Sequence, residues 1–176
     1  MELLLVAATE RELGDRRGLV CGIGPVEAAA RTAAALATHR PEAVLHVGLA
    51  GARSLEPPAL VLGAEAVYED LEAAIPVVAR AAPDPGLLAR VRTELPEAHV
   101  LPIGTSARVG AVACDVEAME GFGVLRACAL AAVPAVELRA VSNAIGEPDR
   151  ARWRVDEACA ALAAAVGRVL AAEAGA

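Results

Sequence analysis

The chain has 176 residues, of which 56% are hydrophobic but only three are aromatic, so alanine, valine and leucine must build its core. That length suffices for one domain with a substantial core, and we expect residues 1–176 to form one. The net charge of −7 argues against a surface that binds nucleic acid.

Short apolar runs alternate with helical segments along the chain. Most of the runs lack period-2 alternation, as in strands that are buried on both faces. Strands are predicted over 3–8, 19–23, 43–47, 60–67, 100–103 and 134–141, with a further short one over 109–113. Helices are predicted over 25–38, 85–95, 116–131 and about 150–172, and 68–83 is predicted to be irregular. This order indicates an α/β fold with a mostly parallel sheet and helices on both faces.

Two features bear on cofactors and location. The cysteines and histidines show no metal-ligand spacing, so we expect neither a metal nor a cofactor. The apolar amino-terminal stretch MELLLVAAT lacks the basic region of a signal peptide, and the alanine-rich segment 158–172 is too short to span a bilayer. We therefore expect a cytoplasmic protein that does not bind membranes.

Two glycine-rich turns follow predicted strands. GIGP at 22–25 opens a helix, but Glu27 replaces the third glycine of a dinucleotide fingerprint and would repel pyrophosphate. We interpret it as a tight turn that lets the backbone approach a neighbour. GLAG at 48–51 would let a flat ring lie against the backbone, although a purely structural turn fits equally well.

The segment 115–143 is the most informative one. It is predicted to be an amphipathic helix that opens with Glu117 and Glu120, followed by a strand that ends at Ser142-Asn143. Ligands of open α/β sheets bind at the carboxyl ends of the strands, so these groups should converge on one cleft. A carboxylate can hold sugar hydroxyls, and an amide can bind the edge of a purine.

Five segments, in order, resemble the purine nucleoside phosphorylase and nucleosidase superfamily. They are AATEREL at 7–13, GIGPVEAAA at 22–30, VGLAGA at 47–52, VEAMEG at 116–121 and VPAVELRAVSN at 133–143. The resemblance implies a three-layer αβα sandwich around a mixed, mostly parallel, partly barrel-like sheet. MEGFGVLRA, VELRAVSN and EPDRARWRVDEA are most similar to the nucleosidases of menaquinone biosynthesis, whose substrate carries hypoxanthine. The chain is shorter than this family between its first strand and residue 22, which implies a missing peripheral hairpin.

The resemblance also implies roles for individual residues. Glu12 is expected to activate the attacking water, although Glu10 could occupy that register. Glu120 is expected to bind the 2′- and 3′-hydroxyls of the ribose, with Met119 against the sugar. Three further residues are expected to contact the substrate: Ala50, Gly51 and, from a loop over the purine, Ser106.

Asn143 is predicted to be a catalytic residue that selects the leaving base. Family nucleosidases for 6-aminopurines carry Asp at this position, whereas an Asn amide donates to O6 and accepts from N7–H. The residue therefore favours a 6-oxopurine, and a mismatch would discriminate by up to ~10⁴-fold. His46 and Leu49 replace the Arg and the Ser or Thr that hold phosphate in the phosphorylases, which favours hydrolysis. Arg11 or Arg53 could still bring phosphate by another route.

The predicted protein is thus an N-glycosyl hydrolase that releases hypoxanthine from a small-molecule nucleoside. An adenosylhomocysteine or methylthioadenosine nucleosidase, or a purine nucleoside phosphorylase, is the first alternative. The second alternative, of another class, is a non-catalytic purine-binding protein. The family implies a homo-oligomer, a dimer or larger, and Trp153 could contact the carboxylated aromatic arm of the substrate.

Overall fold

The computed structural model of the protein describes residues 2–175. Its strands are β1 (Leu3–Ala7), β2 (Leu19–Val20), β3 (Ala43–Ala52), β4 (Leu60–Tyr68), β5 (Arg80–Ala81), β6 (His99–Thr105), β7 (Val116–Ala118) and β8 (Ala135–Ala144). Its helices are α1 (Glu10–Leu13), α2 (Pro25–Thr38), α3 (Pro85–Glu94), α4 (Gly121–Ala131) and α5 (Val155–Gly175), with a 3₁₀ turn at Arg150–Arg152.

Five of the strands close into a ring. β3 pairs with β8 and β7, β7 with β6, β6 with β4, and β4 with β8. β1 and β2 extend the sheet from β3 in parallel, and β5 pairs antiparallel with β4. Since five of these eight pairings are parallel, the predicted mixed, mostly parallel and partly barrel-like sheet is confirmed.

Helices cover both faces of this sheet. Successive residues of β1 face opposite ways, so Leu5 packs with the core between the sheet and α3 and α5, while Val6 packs with the core beneath α2 and α4. The three αβα layers predicted from the sequence are therefore present. None of the helices in the described part of the chain is both long and apolar enough to cross a membrane.

The predicted helix over 116–131 is wrong in its first turn. Val116–Ala118 forms β7 instead, and α4 begins only at Gly121, with Glu120 at its N-cap. The physical reason is tertiary, because this short segment fills the gap between β3 and β6 and so closes the ring.

Other differences concern strand ends. The predicted glycine turn at 48–51 lies within β3, and residues 142–143 lie within β8, because these two strands pair along their full length with one register shift at Ala50/Gly51. The strand predicted over 109–113 is wrong, since those residues form turns and irregular backbone. β5 and α1 are additions to regions predicted without regular structure.

Candidate active site

A cleft of about 330 Å³ opens where β1, β3 and β8 end, beside the start of α4. Six of the seven predicted site residues line its wall: Glu12, Ala50, Gly51, Met119, Glu120 and Asn143. Glu117 lies on the same wall, so the two carboxylates and the amide of segment 115–143 do converge on one cleft.

Ser106, the seventh predicted residue, is not among the lining residues. Its hydroxyl donates to Asp70 Oδ1 at 2.8 Å, and its backbone N–H donates to the carbonyl of Ala118 at 3.2 Å. Asp70 also accepts the backbone N–H of Ala107 at 2.6 Å, which ties the start of the loop after β6 to the end of β4. Val109, from the same loop, is the residue that reaches the cleft wall.

Glu12 is held in place through both of its carboxylate oxygens. Thr9 caps α1, and its backbone N–H and hydroxyl donate to Oε2 at 2.9 and 2.7 Å. The backbone N–H of Leu49 on β3 donates to Oε1 at 3.0 Å. Glu10, by contrast, is exposed and is not among the residues that line the cleft, whereas Glu12 is.

Glu120 is only 4% exposed and is bound by two donors from different elements. The backbone N–H of Gly24 donates to Oε1 at 3.1 Å, and Arg139 Nη2 donates to Oε2 at 3.4 Å. Gly24 has a φ of 92°, a conformation that favours glycine. The turn at 22–25 thus lets its backbone approach a neighbour, as predicted, and that neighbour is the carboxylate of Glu120.

Sequence reasoning missed two buried charges on β8, Glu137 and Arg139. Arg139 Nε donates to Glu137 Oε1 at 2.8 Å, and Nη1 donates to the carbonyl of Leu49 at 3.4 Å. Burial alone would lower the pKa of Arg139, but Glu137, Glu120 and Glu12 together raise it above its usual range. The signal was the E-x-R pattern inside an apolar strand, since buried charges require partners.

His46 lies behind Arg139 and is a neutral imidazole. It is fully buried, its Nδ1 lies 3.0 Å from the carbonyl of Val6, and its Nε2 lies 2.5 Å from Arg139 Nη2. A guanidinium can only donate, so Nε2 is the acceptor and Nδ1 carries the proton. Burial, reinforced by the charge of Arg139, holds the pKa of His46 well below its usual range.

The lowered pKa of His46 predicts a loss of stability in acid. Below the ordinary histidine pKa of about 6.5, the unfolded chain takes up a proton at this residue that the native protein does not. The free energy of unfolding should therefore fall by up to about 1.4 kcal/mol per pH unit below that value. Urea titrations between pH 7 and 5 would measure the slope for the wild type and for His46→Gln, whose amide can donate to Val6 and accept from Arg139.

Groups that titrate in both proteins cancel in this comparison, including Glu137, whose raised pKa acts in the opposite direction. We expect a steeper loss in the wild type than in His46→Gln. Equal slopes would show that His46 is not the group responsible.

Asn143 lies opposite Gly51 of β3 and presents its amide to the cleft. Its Oδ1 accepts the hydroxyl of Ser142 at 2.8 Å, and its Nδ2 donates to the carbonyl of Ala144 at 3.0 Å. A Cβ at position 51 would lie 3.1 Å from Nδ2, so the glycine leaves room for the amide. One N–H and one oxygen lone pair of the amide remain for a ligand.

Glu117 lies on the cleft wall but is engaged within the protein. Its Oε2 accepts the backbone N–H groups of Gly110 and Ala111 at 2.6 and 3.0 Å. These bonds hold the loop 106–115, with Val109, beside the cleft. The carboxylate is therefore a loop anchor rather than a helix-dipole group, as its place on β7 requires.

The mouth of the cleft carries an aromatic ring and cationic groups. The Trp153 Nε1–H donates to the carbonyl of Glu147 at 3.1 Å, and the guanidinium carbon of Arg150 lies 5.3 Å from the indole centroid. Arg11 also lines the mouth and is paired with Asp156 at 2.5 Å. The indole of Trp153 and the guanidinium of Arg150 suit a flat group that carries negative charge, whereas Arg11 is already paired.

A closed ring of strands with helices on both faces, and a cleft with buried carboxylates and one amide at the strand ends, match what is expected of the nucleoside-cleaving α/β enzymes that the sequence resembles. The chain belongs to the phosphorylase superfamily, whose family model matches residues 16–172. The resemblance found in the sequence is thus confirmed.

Two relatives are similar over most of the chain. A futalosine hydrolase from Streptomyces coelicolor is 40% identical over an alignment of 187 positions that covers 86% of this chain and 77% of the relative. A futalosine hydrolase from Thermus thermophilus is 37% identical over an alignment of 191 positions that covers 90% of this chain and 82% of the relative.

Solved structures show the same fold at lower identity. The S-adenosylhomocysteine nucleosidase from Streptococcus pyogenes, in complex with 5-methylthiotubericidin, has a TM-score of 0.85 at 19% identity, covering 97% of this chain and 96% of its own. The futalosine hydrolase of Helicobacter pylori has a TM-score of 0.84 at 16% identity, covering 96% of each chain. At these identities the similarity concerns the fold alone.

Proposed function

We propose that the protein is a nucleosidase that hydrolyses the N-glycosidic bond of futalosine and releases hypoxanthine. The observation that carries this proposal is the meeting of Glu12, Glu120 and Asn143 in one cleft. The two futalosine hydrolases at 37–40% identity support the choice of substrate. Futalosine hydrolases are the menaquinone-biosynthesis nucleosidases that the sequence resembles, so this reaction would belong to that pathway.

Glu12 and Glu120 have different roles at the sugar. Cleavage of an N-glycosidic bond passes through an oxocarbenium-like transition state. Glu120 is buried beside Arg139 and Gly24. It accepts hydrogen bonds from the vicinal hydroxyls of the ribose and places negative charge near the developing cation. Glu12 takes a proton from the attacking water, for which its fixed orientation between Thr9 and Leu49 is suited.

Asn143 stabilises the departing base. Its remaining N–H donates to the O6 of hypoxanthine, and its Oδ1 accepts from N7–H once that nitrogen is protonated. Ser142 holds the amide in this orientation through its hydroxyl, at 2.8 Å from Oδ1. Met119, Ala50 and Gly51 supply an apolar and closely spaced wall against the sugar and the base.

Water, rather than phosphate, is the nucleophile in this proposal. Leu49 lines the cleft with an apolar side chain, which cannot bind a phosphate oxygen. The two arginines that the sequence offered for phosphate are engaged, because Arg11 pairs with Asp156 and Arg53 donates to the carbonyl of Val112. Thr9 also lines the cleft, but its hydroxyl already donates to Glu12.

The proposed reaction is tested by incubating the purified protein with futalosine, inosine and methylthioadenosine, with and without phosphate, and measuring free base. We expect hypoxanthine from futalosine at the same rate in both buffers. Release of adenine, or a requirement for phosphate, would assign a sister activity of the superfamily. A failure to release base from all three substrates, with ligand binding retained, would assign a purine-binding protein.

Trp153 is predicted to bind the carboxylated aromatic arm of futalosine. Trp153→Ala should raise KM for futalosine about three- to tenfold, the size of one aromatic contact, with little change in kcat. Trp153→Phe retains a ring face, so its KM should lie between those of the wild type and Trp153→Ala. Steady-state kinetics on inosine, which lacks the arm, supply the control, and an equal rise in KM for inosine would contradict the assignment.

The proposal also includes the assembly and location of the protein. Ile23 and Val109 line the cleft mouth although they are 62% and 57% exposed, and Val26, at the start of α2, is 76% exposed. A second copy of the chain would bury such apolar groups, so we propose a homo-oligomer, a dimer or larger. We also propose that the protein is located in the cytoplasm. Sedimentation of the purified protein measures its size. We further propose that residues 1–176 act as one domain and need no cofactor.

A further inference from the structure

Glu137 is a buried carboxylate that the proposed mechanism does not use. Its side chain is fully buried on β8, and its Oε1 accepts Arg139 Nε at 2.8 Å. Among the described residues, no donor lies within hydrogen-bonding distance of its Oε2. Burial raises the pKa of this group, partly offset by Arg139 and reinforced by Glu120.

Two glycines leave the space that this carboxylate occupies. A Cβ at Gly121, the first residue of α4, would lie 2.6 Å from the carboxyl carbon of Glu137. A Cβ at Gly63 of β4 would lie 3.3 Å from the Cβ of Glu137. Gly121 directly follows Glu120, so Glu137 packs against the segment that positions the ribose-binding carboxylate.

Glu137 does more than balance a buried charge. Removing one member of a buried ion pair destabilises a protein, because the other charge stays buried, whereas replacing the whole pair with apolar groups is often neutral or stabilising. Part of the charge of Arg139 is already balanced by Glu120. Among the described residues, Glu137 is the one that bonds to Nε, which fixes the plane of the guanidinium and so directs Nη1 and Nη2 toward Leu49, His46 and Glu120.

We propose that Glu137 is a positioning residue for N-glycosidic hydrolysis, which orients the guanidinium of Arg139 and, through it, the carboxylate of Glu120. This inference rests on the proposed function, because it assigns Glu137 a part in that reaction. Glu137 does not line the cleft, so it acts through Arg139 and not on the substrate itself.

Two variants test the inference. Glu137→Met fills a similar volume but accepts no hydrogen bond, and it should lower kcat for hypoxanthine release about 10- to 100-fold, with a smaller rise in KM because Glu120 also binds the ribose before reaction. Glu137→Gln keeps an acceptor for Nε, so its kcat should lie between those of the wild type and Glu137→Met. Glu137→Met should also lower the melting temperature, because the buried Arg139 loses a charged partner, so stability must be measured beside the kinetics.

Leu138→Val is the matched control. Leu138 is the next residue of β8, is fully buried, and packs in the core on the opposite face. This variant should lower the melting temperature and leave kcat unchanged. The inference is overturned if Glu137→Met keeps kcat within about twofold of the wild type, or if Leu138→Val lowers kcat equally. Glu137→Gln decides the question if the methionine variant does not fold.

A crystal structure of Glu137→Met, or of Glu137→Gln in its place, separates this inference from the proposed function. If the wild type releases no base from futalosine, the proposed function fails, whereas the positioning of Arg139 can still be judged by geometry. Arg139 Nη2 should then lie farther from Glu120 Oε2 than the 3.4 Å of the wild type. An unmoved guanidinium overturns the inference whatever the activity.

Discussion

Glu12→Gln is expected to lower kcat for hypoxanthine release by ~10²–10⁴-fold, the range for loss of a general base, while KM changes little. The amide has nearly the volume and shape of the carboxylate but cannot take a proton from water. The proposed contacts to the ribose and to the base involve other residues, so binding of futalosine should survive. Stopped or continuous assays of free hypoxanthine would measure both constants.

The geometry around Glu12 limits what the glutamine variant can do. Thr9 directs two donors at Oε2 and Leu49 directs one at Oε1, so an NH₂ group on either side must face a backbone N–H. That mismatch should cost about 1–3 kcal/mol of stability, and a melting curve must therefore accompany the kinetics.

Glu10→Gln is the matched control for Glu12→Gln. It changes the same residue type in the same short helix, but Glu10 is exposed and away from the cleft. We expect its kcat to stay within about twofold of the wild type. A large loss in Glu10→Gln with activity retained in Glu12→Gln would assign the water-activating role to the other register of the T-E-R-E segment.

The layers of the fold could be predicted because they depend on local patterns. Continuous apolar runs such as 43–47 and 134–141 indicated buried strands, and proline at the first position of α2 and α3 marked where those helices begin. The ends of strands were less predictable, since β3 and β8 are extended past their apolar runs by pairing with each other.

The candidate site was predictable where single residues match a motif, and less so where it depends on tertiary contacts. Glu12, Glu120 and Asn143 stand in recognisable segments, and the structure brings them to one cleft. Glu117 was placed on a helix because the closure of the ring by β7 cannot be inferred from three residues. Arg139 was missed because its partners come from β1–α1, β3 and α4, which are far apart in the chain.

Asn143→Asp is expected to change which base the enzyme releases. The aspartate lacks the NH₂ group that donates to O6, so kcat/KM for futalosine should fall, by up to ~10⁴-fold where a buried polar group is left unpaired. For methylthioadenosine, kcat/KM should rise, because a protonated aspartate donates to N7 and accepts from the 6-amino group. The ratio of the two kcat/KM values is the quantity to measure.

The surroundings of Asn143 favour the protonated form of the aspartate. Nδ2 of the wild type lies 3.0 Å from the carbonyl oxygen of Ala144, so a carboxylate oxygen in its place would face another acceptor. The site is also only 6% exposed, which disfavours charge. Protonation makes the carboxyl neutral and weakens this repulsion, and donation to N7 needs the same proton, so the adenine-releasing activity of Asn143→Asp should decline at high pH.

Asn143→Ala separates a change of preference from simple damage. It removes both hydrogen-bonding groups, so both substrates should react slowly and their ratio should move toward one. If Asn143→Asp loses activity on futalosine without any gain on methylthioadenosine, and so behaves like Asn143→Ala, then Asn143 supports the cleft but does not distinguish O6 from a 6-amino group. A gain on the adenine nucleoside would support the hydrogen-bonding argument, because a protonated Asp matches Asn in size and shape but not in its donors and acceptors.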